Sequence, residues 1–440
     1  MPDIISNIST NFKDAFKELQ KNKYKTNLSK IVIPKSRTNY HIHFGAGKLG
    51  IGLVIPKFDK RKIIIIQRLS KDWLTLKSYK TVKLSINDVA FREISLIHEF
   101  TSNFHTLLSN KLNNGESFII CTNKQIIIKE LLKNSSSIST ALGQKGFQEL
   151  KPLLEEFKTQ KHTINLYPFE NDYSGINSFR NKKINIINIT ADKICNERVI
   201  NKNVLSVKAE DYEEIIIHNR RKLRNELMGR NIIYLENECE YNFYHKRKLY
   251  LVNGIHIIAA LFGYEYLIRR KVPPEQWKSL TLTIIMGMEY IRKILILFTS
   301  IQALRLISET DIQTLKNLFP AQNINNIYKE LIDFGQSTIE KRFNFSLDPL
   351  DRILRIDQDN FDNLKNKINE RVYKITEFVK SPELNKVISE MNLIEFKEID
   401  FYKAGIELGE VITKLLMEIM KNSHKTLKVQ FKDSSFFDSL

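Results

Sequence analysis

Apolar positions follow two different rhythms along this chain, and the change falls near residue 219. Before it, short β-branched runs recur: Tyr40–Phe44 (YHIHF), Lys62–Gln67 (KIIIIQ), Ser117–Thr122 (SFIICT), Thr163–Tyr167 (TINLY) and Lys183–Thr190 (KINIINIT). Runs that are apolar without polar alternation predict strands buried on both faces. Between them, Ile126–Lys133 and Leu150–Phe157 carry helical spacing. Strands alternating with helices predict an α/β unit with a mostly parallel sheet.

After residue 219 the β-branched runs thin out and a 3.6-residue period takes over. Ile255–Ile268, Leu282–Leu306, Ile312–Leu318, Phe361–Val379 and Ile406–Met420 read as helices, punctuated by Pro273, Pro274 and Pro320. Three parts follow: an extension over 1–38, an α/β domain over 39–218 and a mostly α-helical domain over 219–440. With no low-complexity linker between the two domains, their cleft is the natural ligand site. Phe12, Ala15, Phe16 and Leu19 share one helical face and predict a short helix in the extension.

Charge and cysteine content alter this picture little. The net charge is +18, but Lys77–Lys83, Arg220–Arg224 and Lys246–Lys248 are separate clusters that read as solvated faces, so a nucleic-acid partner is not expected. The stretch Leu282–Phe298 carries Glu289, Arg292 and Lys293, too much charge for a membrane span. Neither a signal core nor a presequence pattern stands at the start, and a cytoplasmic protein is the expectation. Cys121, Cys195 and Cys239 form no C-x-x-C pair and read as buried thiols.

Candidate chemistry begins at the first apolar run. It stops at Gly45-Ala46-Gly47-Lys48-Leu49-Gly50, a G-x-G-x-x-G between a strand and a helix. The first glycine permits a tight turn, the second lets backbone approach a pyrophosphate, and the third allows close packing of helix on strand. The expected architecture is therefore a Rossmann-type doubly wound sheet followed by the helical domain. An acidic residue about 20 positions on would bind the ribose of NAD. Here Gln67 and Arg68 stand there, a pair that suits a 2′-phosphate, so either NAD or NADP is expected as cofactor.

The second motif is Lys248, Asn253 and His256 within KLYLVNGIHIIAALFGY. This segment resembles the signature of the polyol-specific long-chain dehydrogenases, the mannitol dehydrogenase family, in which Lys-Leu-x-x-x-Asn-x-x-His opens a helix. Other pieces fit in the same order: HFGAG at 43–47, which resembles the start of the mannitol-1-phosphate 5-dehydrogenase branch, PFEN at 168–171, TADKI at 190–194, and KRF-N with DRILR at 341–355. The family's Arg-Lys-Leu run after that last segment is absent.

The resemblance implies an oxidoreductase that interconverts a polyol or polyol phosphate with its ketose, with Lys248, Asn253, His256 and Asn171 at the reacting oxygen. Asp192 is carried over to the cofactor side and Arg355 to the substrate. A lysine can act as the general base if burial and neighbouring cations lower its pKa, and His245, Lys246 and Arg247 are the neighbours in sequence. Residues three apart on a helix, as Asn253 and His256 are, share a face; Asn253 is also an N-cap candidate. No metal-ligand set is apparent, and His41 and His43 read as structural. Two other readings stay open: a sugar-acid reductase of the same family, and an inactive relative that serves as a binding protein. The oligomeric state is not legible.

Overall fold

In a computed structural model of the chain, residues 39–422 are described apart from 59, 158–162, 171–175, 177, 219–226, 274–279, 344–345, 347–352, 354–367, 369–370, 373 and 392–399. The helix expected around Phe12–Leu19, the cluster Arg220–Arg224 and most of Phe361–Val379 lie outside these residues.

The first run forms β1 (Tyr40–Phe44) and KIIIIQ forms β2 (Ile63–Gln67). Further strands are β3 (Thr81–Ile86), β4 (Val89–His98), β5 (Phe118–Cys121), β6 (Ser135–Thr140), β7 (Ile164–Pro168) and β8 (Ile184–Ile186). With β10 (Cys195–Asn201) and β11 (Val204–Ala209) they build a ten-stranded sheet in the order β10-β11-β3-β4-β5-β2-β1-β6-β7-β8. From β4 to β8 every neighbouring pair is parallel. Strand residues alternate between two apolar layers, which is why the run had to be apolar throughout. Ile63 and Ile65 pack with Ile51, Leu53 and Trp73, while Ile64 and Ile66 pack with Leu108, Leu131 and Leu154. The latter three come from the helices Phe104–Asn113, Gln125–Leu132 and Gly143–Glu155. Strand order reverses at β1, so a crevice opens beyond its carboxyl end, where the glycine motif stands.

The sheet is wider than the sequence reading foresaw, because two hairpins extend it. β3 and β4 join through Asn87 and Asp88, both with positive φ, as a two-residue hairpin turn requires. β10 and β11 form a second antiparallel pair, and β11 then runs parallel to β3. KINIINIT is also not one strand. The chain leaves the large sheet after β8, with Ile187 N still donating to Leu166 O at 2.9 Å. It then enters a three-stranded sheet as β9 (Asn188–Asp192), paired with β12 (Glu214–His218), whose other neighbour is β13 (Ile232–Leu235).

Helices follow from Glu238. Glu289–Ser308 lies at the centre of the apolar cluster, with Leu295, Phe298, Ile301 and Leu304 fully buried. The single helix expected over Leu282–Leu306 is two, Leu282–Met286 and Glu289–Ser308. The break falls at Gly287, a poor helix former, and Met288, whose backbone is extended. Among the described residues the helix that passes a membrane-span test is Glu238–Arg269 and not the Leu282–Phe298 stretch. By length and composition it would cross a membrane, yet 83% of its most apolar window is buried within the protein, as in a core helix. Of the three thiols only Cys121 is fully buried; Cys195 is half-buried and Cys239 exposed.

His41 and His43 point into the sheet between β1 and β6. His41 bonds to Ser137 and Ser139 hydroxyls at 2.8 and 2.7 Å and stacks on Phe58. His43 bonds to Ser139 Oγ at 2.8 Å and to Gly45 O at 2.9 Å. Burial holds both imidazoles neutral, His43 down at about 4 despite its bond to Gly45. A histidine whose folded pKa is depressed contributes stability above its unfolded pKa, and that contribution is lost as pH falls. Between pH 7 and 5 the unfolded chain gains protons that the folded chain refuses. Denaturant unfolding is therefore expected to show stability lower at pH 5 by about 2 kcal/mol from His43 alone, and equal stability at the two pH values would contradict this burial.

Candidate active site

Gly45 ends β1 with φ +98°, a conformation that strains any side chain. Its N–H donates to Ile66 O at 3.1 Å, and the Ala46 N–H donates to the Gln67 amide oxygen at 2.9 Å. Gln67 thus braces the turn from the end of β2. A Cβ on Gly50 would stand 2.2 Å from Gly45 O and 2.8 Å from His43 Nε2, so helix and turn touch there through bare backbone. At Gly47 the nearest neighbour of a Cβ is Ala141 O, 4.0 Å away. The third glycine is needed for packing; the second leaves open space in front of the turn.

That space is a cleft of about 500 Å³ lined by Gly45, Gly47, Gln67, Arg68, Thr122 and Arg198, among others. Arg68 is exposed and pairs with Glu149 at 2.6 Å. Lys48 turns away from the cleft, donating to Asn196 O, and Arg198 reaches Ala46 O at 3.3 Å. Strand β10 therefore straps the glycine turn from above. A bare-backbone approach at Gly47 with Arg68, Lys145 and Arg198 around one cleft fits a dinucleotide's phosphates.

The second motif lies inside one continuous helical run. Glu238–Lys248 passes into a π-helical turn, Leu249–Gly254, and on into Ile255–Arg269. Asn253 therefore does not open a helix, as the N-cap reading had it; Asn237 caps the run instead, accepting from Cys239 N at 2.8 Å. The π turn changes what the spacing means. At 100° per residue an α-helix would set Asn253 about 140° away from Lys248. A wider turn absorbs one residue, so a spacing of five acts as four and Lys248, Asn253 and His256 come towards one side.

Lys248 is half-buried and its ammonium donates to Ala191 O at the end of β9. The next residue, Asp192, is buried and bound through both carboxylate oxygens by Arg342, at 2.8 and 2.9 Å. Arg342 also holds Glu210 at 2.8 and 2.9 Å and lies over the Tyr212 ring. Its neighbour Phe343 has its ring centroid 5.2 Å from that of His256. Burial pulls the Lys248 pKa down to about 8; Asp192 opposes this, and Arg371 and Arg342 reinforce it. Burial works against charge on Asp192 as well, but Arg342 outweighs it and the carboxyl stays below its ordinary range.

The cations that act on Lys248 are not its neighbours in sequence. Lys246 pairs with Glu309 and Arg247 with Glu214, so Lys246–Lys248 is an internal cluster and not a solvated face. His245 is held neutral, down at about 4 by burial and then by Lys248 and Arg371, and bonds to Thr190 Oγ1. Asp192 stands on the Lys248 side, bound across to the helical part, and is not among the residues that line the glycine cleft. Asn171 and Arg355 lie outside the described residues. Sequence reasoning missed Arg342, Arg371 and Glu210; only the KRF segment carried a signal. It also passed over Glu170, which accepts from Leu142 N and Gly143 N at 2.9 and 2.7 Å and caps the helix after β6.

No family model matches the chain. In sequence it is similar to mannitol-1-phosphate 5-dehydrogenase from Mycoplasmopsis pulmonis, 27% identical over 51% of this chain and 56% of that one. Relatives of the same name from Mycoplasma pneumoniae and Clostridium acetobutylicum are 23% and 26% identical over 51% of this chain and 56% and 58% of theirs. The matched part thus spans little more than half the length of these curated relatives. The chain is related to the mannitol dehydrogenase family through them. Among solved structures, ketopantoate reductase from Staphylococcus aureus covers 84% of this chain and 99% of that one at 12% identity and TM-score 0.41. D-mandelate dehydrogenase with NADH and anilino(oxo)acetate covers 87% and 99% at 11% identity and TM-score 0.43. At those scores the doubly wound description rests on strand order alone.

The two glycines are expected to separate folding from binding space. Gly50→Ala forces a methyl into Gly45 O and should lower the thermal midpoint by several degrees, as overpacking does. Gly47→Ala should melt within about a degree of the wild type. Equal melting of the two variants would contradict the geometry of the turn.

Proposed function

We propose that the protein is an NAD(P)-dependent oxidoreductase that interconverts a polyol, or polyol phosphate, with its ketose, and that mannitol 1-phosphate and fructose 6-phosphate are the representative pair. The observation that carries this reading is the half-buried Lys248 amine, lowered to about 8 and placed on one helix with Asn253 and His256. The named relatives support the substrate class.

A bound nicotinamide supplies the hydride acceptor or donor; the chain must manage the proton and the geometry. Gly45 and Gly47 offer backbone to the pyrophosphate, and Gln67 holds their turn. In the oxidative direction the neutral Lys248 amine takes the hydroxyl proton while the hydride leaves the adjoining carbon. In the reverse direction the ammonium returns that proton to the carbonyl oxygen. Near pH 8 both protonation states are populated, the condition under which one group serves both ways. Asn253 and His256 hydrogen-bond the same oxygen and fix its distance from Lys248. Asn171 is a fourth polar group there by resemblance, and Arg355 a contact for the substrate's anionic end.

Arg68 is the residue that reads the adenosine ribose. Its present partner is an exposed carboxylate, and such pairs contribute little. It can exchange Glu149 for a 2′-phosphate at small cost, so Arg68→Ala should weaken NADPH binding about tenfold and leave NADH binding within twofold. A fluorescence titration showing equal losses for both cofactors would remove this role.

Fructose 6-phosphate reduction by wild type and Lys248→Ala tests the main reading. The variant should bind NADH or NADPH normally and lose turnover by about 10²–10⁴, the contribution of a positioned base. Undiminished turnover in the variant would end the lysine assignment. Cofactor binding without turnover of any polyol would transfer the protein to the class of inactive relatives.

A further inference from the structure

A second set of polar groups is buried beneath the glycine turn, and no step of the proposed reaction uses it. His41, His43, Ser137 and Ser139 stand on the adjacent strands β1 and β6 with no exposure at all. Their contacts leave one arrangement of protons. A carbonyl oxygen only accepts, so His43 donates from Nε2 to Gly45 O at 2.9 Å. Burial keeps both rings neutral. His43 Nδ1 is therefore an acceptor, and the Ser139 hydroxyl donates to it at 2.8 Å. With its single proton engaged, Ser139 Oγ accepts from His41 Nε2 at 2.7 Å. His41 Nδ1 then accepts from the Ser137 hydroxyl at 2.8 Å, and Ser137 Oγ accepts from Arg61 Nη1 at 3.3 Å. All these bonds point one way, from a guanidinium ahead of β2 to the carbonyl that follows β1.

That carbonyl belongs to the peptide between Gly45 and Ala46, whose N–H donates to Gln67 Oε1 at 2.9 Å. Gln67 lines the cleft, and His43 is not among the residues that do. The oxygen is enclosed on the His43 side, 2.2 Å from the point where a Cβ on Gly50 would stand. Turning the peptide over would swing it to the Gln67 side, where its negative end would face a phosphate in the cleft. Glycine has no Cβ to oppose such a rotation. We propose that His43 is a positioning residue for dinucleotide binding: its Nε2–H, fixed by the run of hydrogen bonds from Arg61, holds the Gly45 carbonyl inward and away from the phosphates. This rests on the reading of the glycine cleft as a dinucleotide site. It also accounts for two histidines in an otherwise apolar strand, since buried polar groups persist where they are hydrogen-bonded.

Tautomers and affinities test this. In full-length protein labelled with ¹⁵N-histidine, long-range ¹H–¹⁵N spectra at pH 7 should show both rings as the Nε2–H tautomer, with His41→Gln and His43→Gln giving the assignments. An Nδ1–H tautomer or an imidazolium at either position overturns the proposal. Nicotinamide fluorescence then reads binding. His43→Leu has no donor and should weaken NADH binding about tenfold, the effect of one lost buried hydrogen bond. The His43→Gln amide can donate to Gly45 O and accept from Ser139, so that variant should stay within about threefold of wild type. A histidine that served packing alone would leave the two variants equal, or Leu the better, and either result overturns the proposal. Should His43→Leu not fold, Ser139→Ala decides. It frees His43 to adopt both tautomers and should weaken NADH binding severalfold, and unchanged affinity refutes the role. Wild-type protein that binds neither NADH nor NADPH would remove the dinucleotide reading itself. Normal wild-type binding with an unaffected His43→Leu variant would remove only the role of His43.

Discussion

An amine withdrawn from water beside a carboxylate is the constraint around which this molecule is arranged. Burial pulls the pKa of Lys248 down, and the charge of Asp192 works against that pull. Arg342 engages both oxygens of that carboxylate, and Arg371 and Arg342 add positive field at the amine. Buried ion pairs often add little stability over apolar packing. Here the Asp192–Arg342–Glu210 cluster joins β9 to the turn Thr338–Arg342.

The fold delivers these groups by departing from regularity at two places. The chain leaves the ten-stranded sheet after Ile186, and only by doing so does β9 carry Ala191 and Asp192 up to the helix Glu238–Lys248. That helix then widens into a π turn over Leu249–Gly254 before resuming. Such turns persist where a side chain must be re-aimed, and this one reconciles a five-residue spacing with a shared side. The glycine turn lies apart from these, supported by Gln67 below and by Arg198 and the Lys48–Asn196 contact above.

Much of this was legible in the sequence, for physical reasons. Ile63–Ile66 and Phe118–Cys121 had to be strands buried on both faces, since no surface could carry four adjacent apolar side chains. Gly45 and Gly50 were legible because each meets a steric demand that no other residue satisfies. The hairpins β3–β4 and β10–β11 were missed because their half-buried alternation is weaker than a continuous apolar run. KINIINIT looked like one strand because leaving a sheet costs only one residue's worth of pattern. The field around Lys248 was assigned to Lys246 and Arg247, which proximity in sequence suggested, but those side chains pair with Glu309 and Glu214. Its true sources, Arg342 and Arg371, are separated from it by about a hundred residues, and no local periodicity reports such a meeting.

A crystal structure of the ternary complex with a nicotinamide dinucleotide and mannitol 1-phosphate would test the central claim most directly. The account predicts the Lys248 amine within about 3.2 Å of the hydroxyl oxygen on the carbon that yields hydride, Asn253 and His256 on the same oxygen, and the pyrophosphate against Gly45 and Gly47. A substrate bound with its reacting oxygen nearer another acid–base side chain, and the Lys248 ammonium still turned to Ala191 O, would contradict it.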